Sequence, residues 1–223
     1  MKAVIFDMDG LMFDTEQLCI DAMDYAGEKL GIGKAGYMSL RTLGTNIGLP
    51  DEVWIQEFGE GYDREKLHEY TMEYMERFHE ENIVPVKKGL YRLLDYLKDA
   101  GYRMAVASST RQEMVERNLK ETGVRDYFEA VICGDMVAVA KPEPEIYLKA
   151  CAAIDVDPAD CYALEDSQNG LISAHRAGLK PIMVPDLWVL TDEIAPLLWA
   201  KCEDLDAVID YLKTQPGPQV SDD

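Results

Sequence analysis

Apolar residues along this chain fall in short unbroken runs, each closed by glycine or polar residues and followed by a stretch with helical spacing. The runs are Ala3 to Phe6, Arg103 to Ala107, Ala130 to Cys133, Cys161 to Leu164 and Pro181 to Val184. Runs this short and continuous suit strands buried on both faces, and their alternation with helices predicts a parallel, doubly wound α/β sheet. Amphipathic helices that would cover it are predicted over Gly89 to Ala100, Arg111 to Thr122, Glu143 to Ala153, Asn169 to Ala177 and Asp204 to Lys213.

One interval breaks the rhythm. A strand–helix–strand crossover takes roughly 30 residues, yet the first strand ends near Phe6 and the second begins near Arg103. The surplus reads as helical over Glu16 to Leu30, Ser39 to Gly44, Asp51 to Phe58 and Arg64 to Glu81. The expected organisation is a core of residues 1–14 and 84–214, an all-helical cap of residues 15–83, and a flexible tail of residues 215–223. Gly48-Leu49-Pro50 and Val84-Pro85-Val86 are turn or hinge signals. The insert follows the C-terminal end of the first strand, where ligands bind in open α/β sheets, so it can serve as a lid.

Composition narrows the partners. The 223 residues carry 42 Asp+Glu against 22 Lys+Arg, a formal charge of −20. That balance argues against a nucleic-acid polymer or an anionic membrane surface as partner. There is no run of about 18 apolar residues to span a bilayer. The N-terminus runs straight into a strand and then acids, without a signal-peptide pattern, so a cytoplasmic location is expected. Cys19, Cys133, Cys151, Cys161 and Cys202 lack C-x-x-C spacing and read as reduced, mostly buried thiols.

Four segments carry candidate chemistry, each at the C-terminal end of a predicted strand or the start of a predicted helix. In Phe6-Asp7-Met8-Asp9-Gly10, two acids two residues apart can face one site, and their repulsion calls for a cation such as Mg²⁺ between them; a solvated turn is the alternative. Ser108-Ser109-Thr110 precedes Arg111-Gln112-Glu113, a capping-box pattern whose helix would aim free N–H groups and the Ser108 hydroxyl at an anion, or simply cap itself. Lys141, set by Pro142 and Pro144 ahead of a helix, can neutralise a phosphate and nearby carboxylates, or be an exposed lysine. Glu165 and Asp166 end another strand and could complete a hard-cation site, with helix capping by Asp166 or Ser167 as the alternative.

Taken together, these segments resemble the haloacid dehalogenase superfamily. FDMDGLMFDTE, ASST, KPEPEIY and LEDSQNG are similar to its β-phosphoglucomutase-like branch of phosphatases. The resemblance implies a Rossmann-like core with a helical cap and Mg²⁺-dependent phosphoryl transfer. Asp7 would be the nucleophile that forms an aspartyl-phosphate, and Asp9 the acid that protonates the leaving alkoxide and then activates water. Ser108, Ser109 and Lys141 would hold the phosphoryl oxygens. Asp166, with Glu165 nearby, would ligate Mg²⁺ together with Asp7 and the main-chain carbonyl of Asp9.

Departures from relatives sharpen the expectation. Members that cleave carbon–halogen or carbon–phosphorus bonds lack the second Asp of D-x-D, which is present here as Asp9. Sugar-phosphate mutases of the branch carry a His after the first motif and an Arg in the cap; those places hold Cys19 and about Ile47, with Arg41 close by. Asp14-Thr15-Glu16 looks like the phosphatases. The expected activity is therefore hydrolysis of a small phosphomonoester, a sugar phosphate or similar metabolite, by a monomer or weak homodimer. A phosphohexomutase is the alternative. A phosphorylatable receiver is a further one, although receivers have about half this length and carry their phosphorylated Asp on a later strand. Thr15, Glu16, Arg41 and Asn46 are the expected substrate contacts from the cap. His68, His79 and His175 read as surface or helix residues, and Tyr70, Tyr74, Phe78 and the three tryptophans as packing.

Overall fold

The computed structural model describes residues 2–41 and 49–217. Asn46, Ile47 and most of the expected tail lie outside these residues. Six strands, β1 (Ala3–Phe6), β2 (Arg103–Ala107), β3 (Ala130–Ile132), β4 (Cys161–Glu165), β5 (Lys180–Met183) and β6 (Ala200–Lys201), form one sheet in the order β3-β2-β1-β4-β5-β6. All the pairings are parallel. The chain moves outward from β1 in one direction to β3, then returns beside β1 at β4. The C-terminal ends of β1, β2 and β4 therefore meet at the topological switch point, where an α/β sheet opens a crevice.

Helices α4 (Leu90–Asp99), α5 (Gln112–Glu121), α6 (Glu145–Ala153), α7 (Gln168–Arg176) and α8 (Leu205–Lys213) cover the sheet. Alternation along β1 divides the core between the faces. Val4 and Phe6 pack with Leu90, Leu93, Leu94 and Leu97 of α4 and Val208 and Leu212 of α8. Ala3 and Ile5 pack with Ile146, Tyr147 and Ala150 of α6 and Ala174 of α7. Small residues on this second face, Ala105, Ala107 and Ala163 among them, let α6 sit close enough for its Tyr147 to reach the strand ends.

Between β1 and α4 lie α1 (Thr15–Leu30), a 3₁₀ turn (Gly36–Arg41), α2 (Asp51–Phe58) and α3 (Arg64–Glu81). They share an apolar cluster built on Ala26, Met38, Trp54 and Leu67. Tyr70 packs against that cluster, whereas Trp199 is 55% exposed, with the Lys180 ammonium over its ring. The chain leaves and re-enters the sheet side by side: Asp14 N donates to Pro85 O at 2.9 Å and Lys87 N to Met12 O at 2.9 Å. His79, expected as a surface or helix residue, is buried in the last turn of α3, and the Arg117 guanidinium of α5 donates to its carbonyl at 2.6 Å. Among the described residues no helix is long and apolar enough to cross a membrane.

Candidate active site

The first acidic pair is fixed by the turn after β1. Asp7 N continues the sheet ladder by donating to Leu164 O at 3.0 Å, and Gly10, at φ +76°, reverses the chain so that Gly10 N reaches Phe13 O at 2.9 Å. A Cβ on Gly10 would stand 2.3 Å from Asp166 Oδ2, so only glycine fits. Asp7 and Asp9 then meet different neighbours. The Lys141 ammonium donates to Asp7 Oδ1 at 2.6 Å, to Glu165 Oε1 at 2.6 Å and to Ala107 O at 3.0 Å. Asp9 Oδ1 accepts from Thr15 Oγ1 at 2.8 Å, and its Oδ2 from Thr110 Oγ1 at 2.7 Å and Ser108 Oγ at 3.3 Å.

Lys141 is only 8% exposed, and the peptide that joins it to Pro142 is cis. Burial works against its positive charge, yet Asp7 and Glu165 outweigh that and hold its pKa above the ordinary lysine range. Burial pushes the Asp7 carboxyl up; Lys141 opposes this, while Glu165 and Asp9 add to it. Glu165 is fully buried and also accepts from Tyr147 Oη at 2.5 Å and Ser167 Oγ at 3.1 Å.

Asp166 lacks comparable support. It is 1% exposed, and its Oδ1 has no hydrogen-bond partner. Burial, then the charges of Asp7, Glu165, Glu16 and Asp186, push its pKa well up. Oxygens of Asp7, Glu165 and Asp166 lie within 4.8 Å of one another, and so do oxygens of Glu16, Asp166 and Asp186. Burial and the neighbouring Asp186, Asp9 and Asp14 push Glu16 up to about 7, against the pull of Lys87. Carboxylates packed this closely around an orphaned oxygen are what a hard divalent cation would satisfy.

A parallel sheet whose switch point gathers D-x-D, a serine, a buried lysine and a second acid pair is matched over residues 4–184 by the family model for haloacid dehalogenase-like hydrolases. The chain belongs to that family. YhcW of Bacillus subtilis (strain 168), named as a phosphatase, is 36% identical to this hydrolase over 188 residues, which cover 83% of this chain and 84% of that protein. Hexitol phosphatase B of Escherichia coli (strain K12) is 32% identical over 185 residues, 82% of this chain and 83% of that protein. A Thermotoga maritima structure named for β-phosphoglucomutase superposes with a TM-score of 0.78 at 26% identity, covering 96% of this chain and 99% of that one. The hydrolase falls in this β-phosphoglucomutase-like branch and is a phosphoric monoester hydrolase.

The structure brings Asp7, Asp9, Ser108, Lys141, Glu165 and Asp166 together at one end of the sheet. Ser109 sits in the same turn, its backbone against Gly134. Thr15 contacts Asp9, and Glu16 faces Asp166 and Asp186, whereas Arg41 lies exposed at the end of the 3₁₀ turn. One local detail differs from expectation. Thr110 does not cap α5, because its hydroxyl is committed to Asp9; Gln112 N instead finds Asp135 Oδ1 at 3.1 Å, and Thr110 N finds Ser108 Oγ at 3.1 Å. The start of α5 therefore offers fewer free N–H groups than its pattern suggested. Ser167 does cap α7, accepting from Gly170 N at 3.1 Å, which leaves Asp166 uncommitted. Thr110, Tyr147, Lys87 and Asp186 escaped sequence reasoning, and only Thr110 carried a signal, misassigned to capping.

Proposed function

We propose that this hydrolase dephosphorylates a small phosphomonoester, a sugar phosphate or similar metabolite, in two displacements through an aspartyl-phosphate on Asp7, with Mg²⁺ as cofactor. The observation that carries this reading is the unequal treatment of two acids two residues apart. Asp7 is steered by one Lys141 contact at 2.6 Å, and Asp9 receives three hydroxyl donors. Such divergent surroundings suit a nucleophile beside an acid–base group.

In the first displacement an Asp7 oxygen forms the bond to phosphorus as the ester bond breaks, and Asp9 gives its proton to the departing alkoxide. In the second, Asp9 takes a proton from water as that water attacks the phosphoryl group on Asp7, which returns as a free carboxylate. Lys141, Ser108 and Ser109 hold the phosphoryl oxygens in line. Asp7, Glu165, Asp166 and the main-chain carbonyl of Asp9 would hold Mg²⁺, and the orphaned Asp166 Oδ1 fits that role. When bound, the ion supplies positive charge to the transferring group.

Residues 15–83 act as a cap over a core of residues 1–14 and 84–214, hinged where Phe13 and Asp14 run beside Pro85 to Lys87. Substrate selection belongs to cap residues, Arg41 and Asn46 among them. Relatives named as a phosphatase and a hexitol phosphatase support hydrolysis of a phosphorylated sugar or similar ester, and the enzyme is read as a cytoplasmic monomer or weak homodimer. The test is phosphate release from a panel of sugar phosphates and nucleoside monophosphates, with Mg²⁺ and after chelation. Release from at least one ester only in the presence of Mg²⁺ is expected. Isomerisation of β-glucose 1-phosphate faster than any phosphate release would replace this reading with a phosphohexomutase.

A further inference from the structure

The second carboxylate group is built from parts of the chain far apart in sequence. Glu16 comes from the first turn of α1, Asp166 from the end of β4, and Asp186 from the segment after β5. Oxygens of all three lie within 4.8 Å of one another, and each residue has one buried oxygen without a hydrogen-bond partner: Glu16 Oε2, Asp166 Oδ1 and Asp186 Oδ2. Asp166 is 99% buried, so water does not relieve it. Asp7 and Glu165, by contrast, already share Lys141.

Asp186 is held for this position. The Lys87 ammonium lies 2.5 Å from its Oδ1 and 3.1 Å from Asp14 Oδ1, which fixes the carboxylate and leaves Oδ2 facing the group. Gly10 makes room for the convergence, since a Cβ there would stand 2.3 Å from Asp166 Oδ2 and 3.3 Å from Asp186 Oδ2. Lys87 answers only Asp186 Oδ1, and the three oxygens left unsatisfied, Glu16 Oε2, Asp166 Oδ1 and Asp186 Oδ2, call for a further positive partner.

We propose that Glu16 and Asp186 are positioning carboxylates of the divalent-cation site: together with Asp166 they wall the ion on the side away from Lys141. The inference rests on the reading of Asp7, Glu165 and Asp166 as a cation site. Mg²⁺ keeps much of its hydration and is bound directly by few carboxylates, which gives outer acids their place, and losing such outer partners typically weakens metal binding about 10- to 100-fold.

The experiment is calorimetric titration of the chelator-stripped protein with MgCl₂, so that affinity and stoichiometry are read without turnover. Wild type should bind one ion. Glu16→Gln and Asp186→Asn, on different elements so that a folding defect in one leaves the other to decide, should each weaken binding by about 10-fold or more. Glu129→Gln, which removes a distant surface charge paired with Arg103, should change nothing. Wild-type affinity in both Glu16→Gln and Asp186→Asn, or two ions bound to wild type, would overturn the inference. Asp166→Asn separates the two levels. If it abolishes binding while the others do not, only the outer wall is wrong; if it too binds normally, the underlying cation site falls.

Discussion

Replacing Lys141 by methionine keeps the bulk of the stem and deletes one buried charge. The ammonium holds Asp7 and Glu165 at 2.6 Å each, with side chains 10% and 0% exposed, so its loss strands two carboxylates. Removing one partner of a buried pair costs about 3–5 kcal/mol. For a chain of this size each kcal/mol moves the melting temperature by about 2–4 °C. Lys141→Met should therefore melt about 6–20 °C below wild type in chelator, followed by calorimetry or circular dichroism. Mg²⁺ should recover part of the loss, since an ion present at 100 times its dissociation constant stabilises by about 2.7 kcal/mol. Turnover should fall at least about 10²-fold, the scale of one preorganised electrostatic contact to a transition state. A variant that melts within about 2 °C of wild type in chelator, less than 1 kcal/mol on the same scale, would refute the bridge.

Three further outcomes follow from the geometry. Thr110→Val removes the 2.7 Å donor to Asp9 Oδ2; a hydrogen bond is worth about 0.5–1.5 kcal/mol, so kcat should drop about 2- to 12-fold with KM little changed in steady-state assays. Gly170→Ala would place a Cβ 1.9 Å from the Glu165 carboxyl, and urea denaturation should show a loss of about 1–3 kcal/mol that outweighs any gain in helix propensity. Burial, and then Arg117, lower the pKa of His79 below 6.5 against a smaller upward pull from Glu121. The unfolded chain thus takes up this proton at higher pH than the folded one, and stability should fall as pH drops through 6.5. His79→Gln should flatten that slope in urea titrations at stepped pH.

The parts of this molecule legible in its sequence are those whose signal is local. Continuous apolar runs marked five strands, because a strand buried on both faces needs no polar positions. The edge strand β6 is two residues long, Ala200–Lys201, and has no periodicity to read. At the site, Asp7, Asp9, Lys141 and Asp166 stood out because strand ends, prolines and paired acids are sequence-local features. Asp186 and Lys87 did not: each is a single charged residue on a connecting segment, and their contact joins positions 99 residues apart. Tyr147 is likewise indistinguishable from a core aromatic until α6 docks and its hydroxyl meets Glu165. Thr110 shows the subtler limit, since Thr-x-x-Glu reads as a capping box unless a buried carboxylate competes for the hydroxyl.

Nucleophilic attack by Asp7 is the central claim, and trapping the phosphoenzyme tests it most directly. Enzyme mixed with a turned-over phosphate ester and Mg²⁺, acid-quenched within a turnover and digested, should yield the peptide containing Asp7 with the added mass of one phosphoryl group. Asp7→Asn should show neither the adduct nor turnover. Mg²⁺-dependent phosphate release that survives in Asp7→Asn would contradict it.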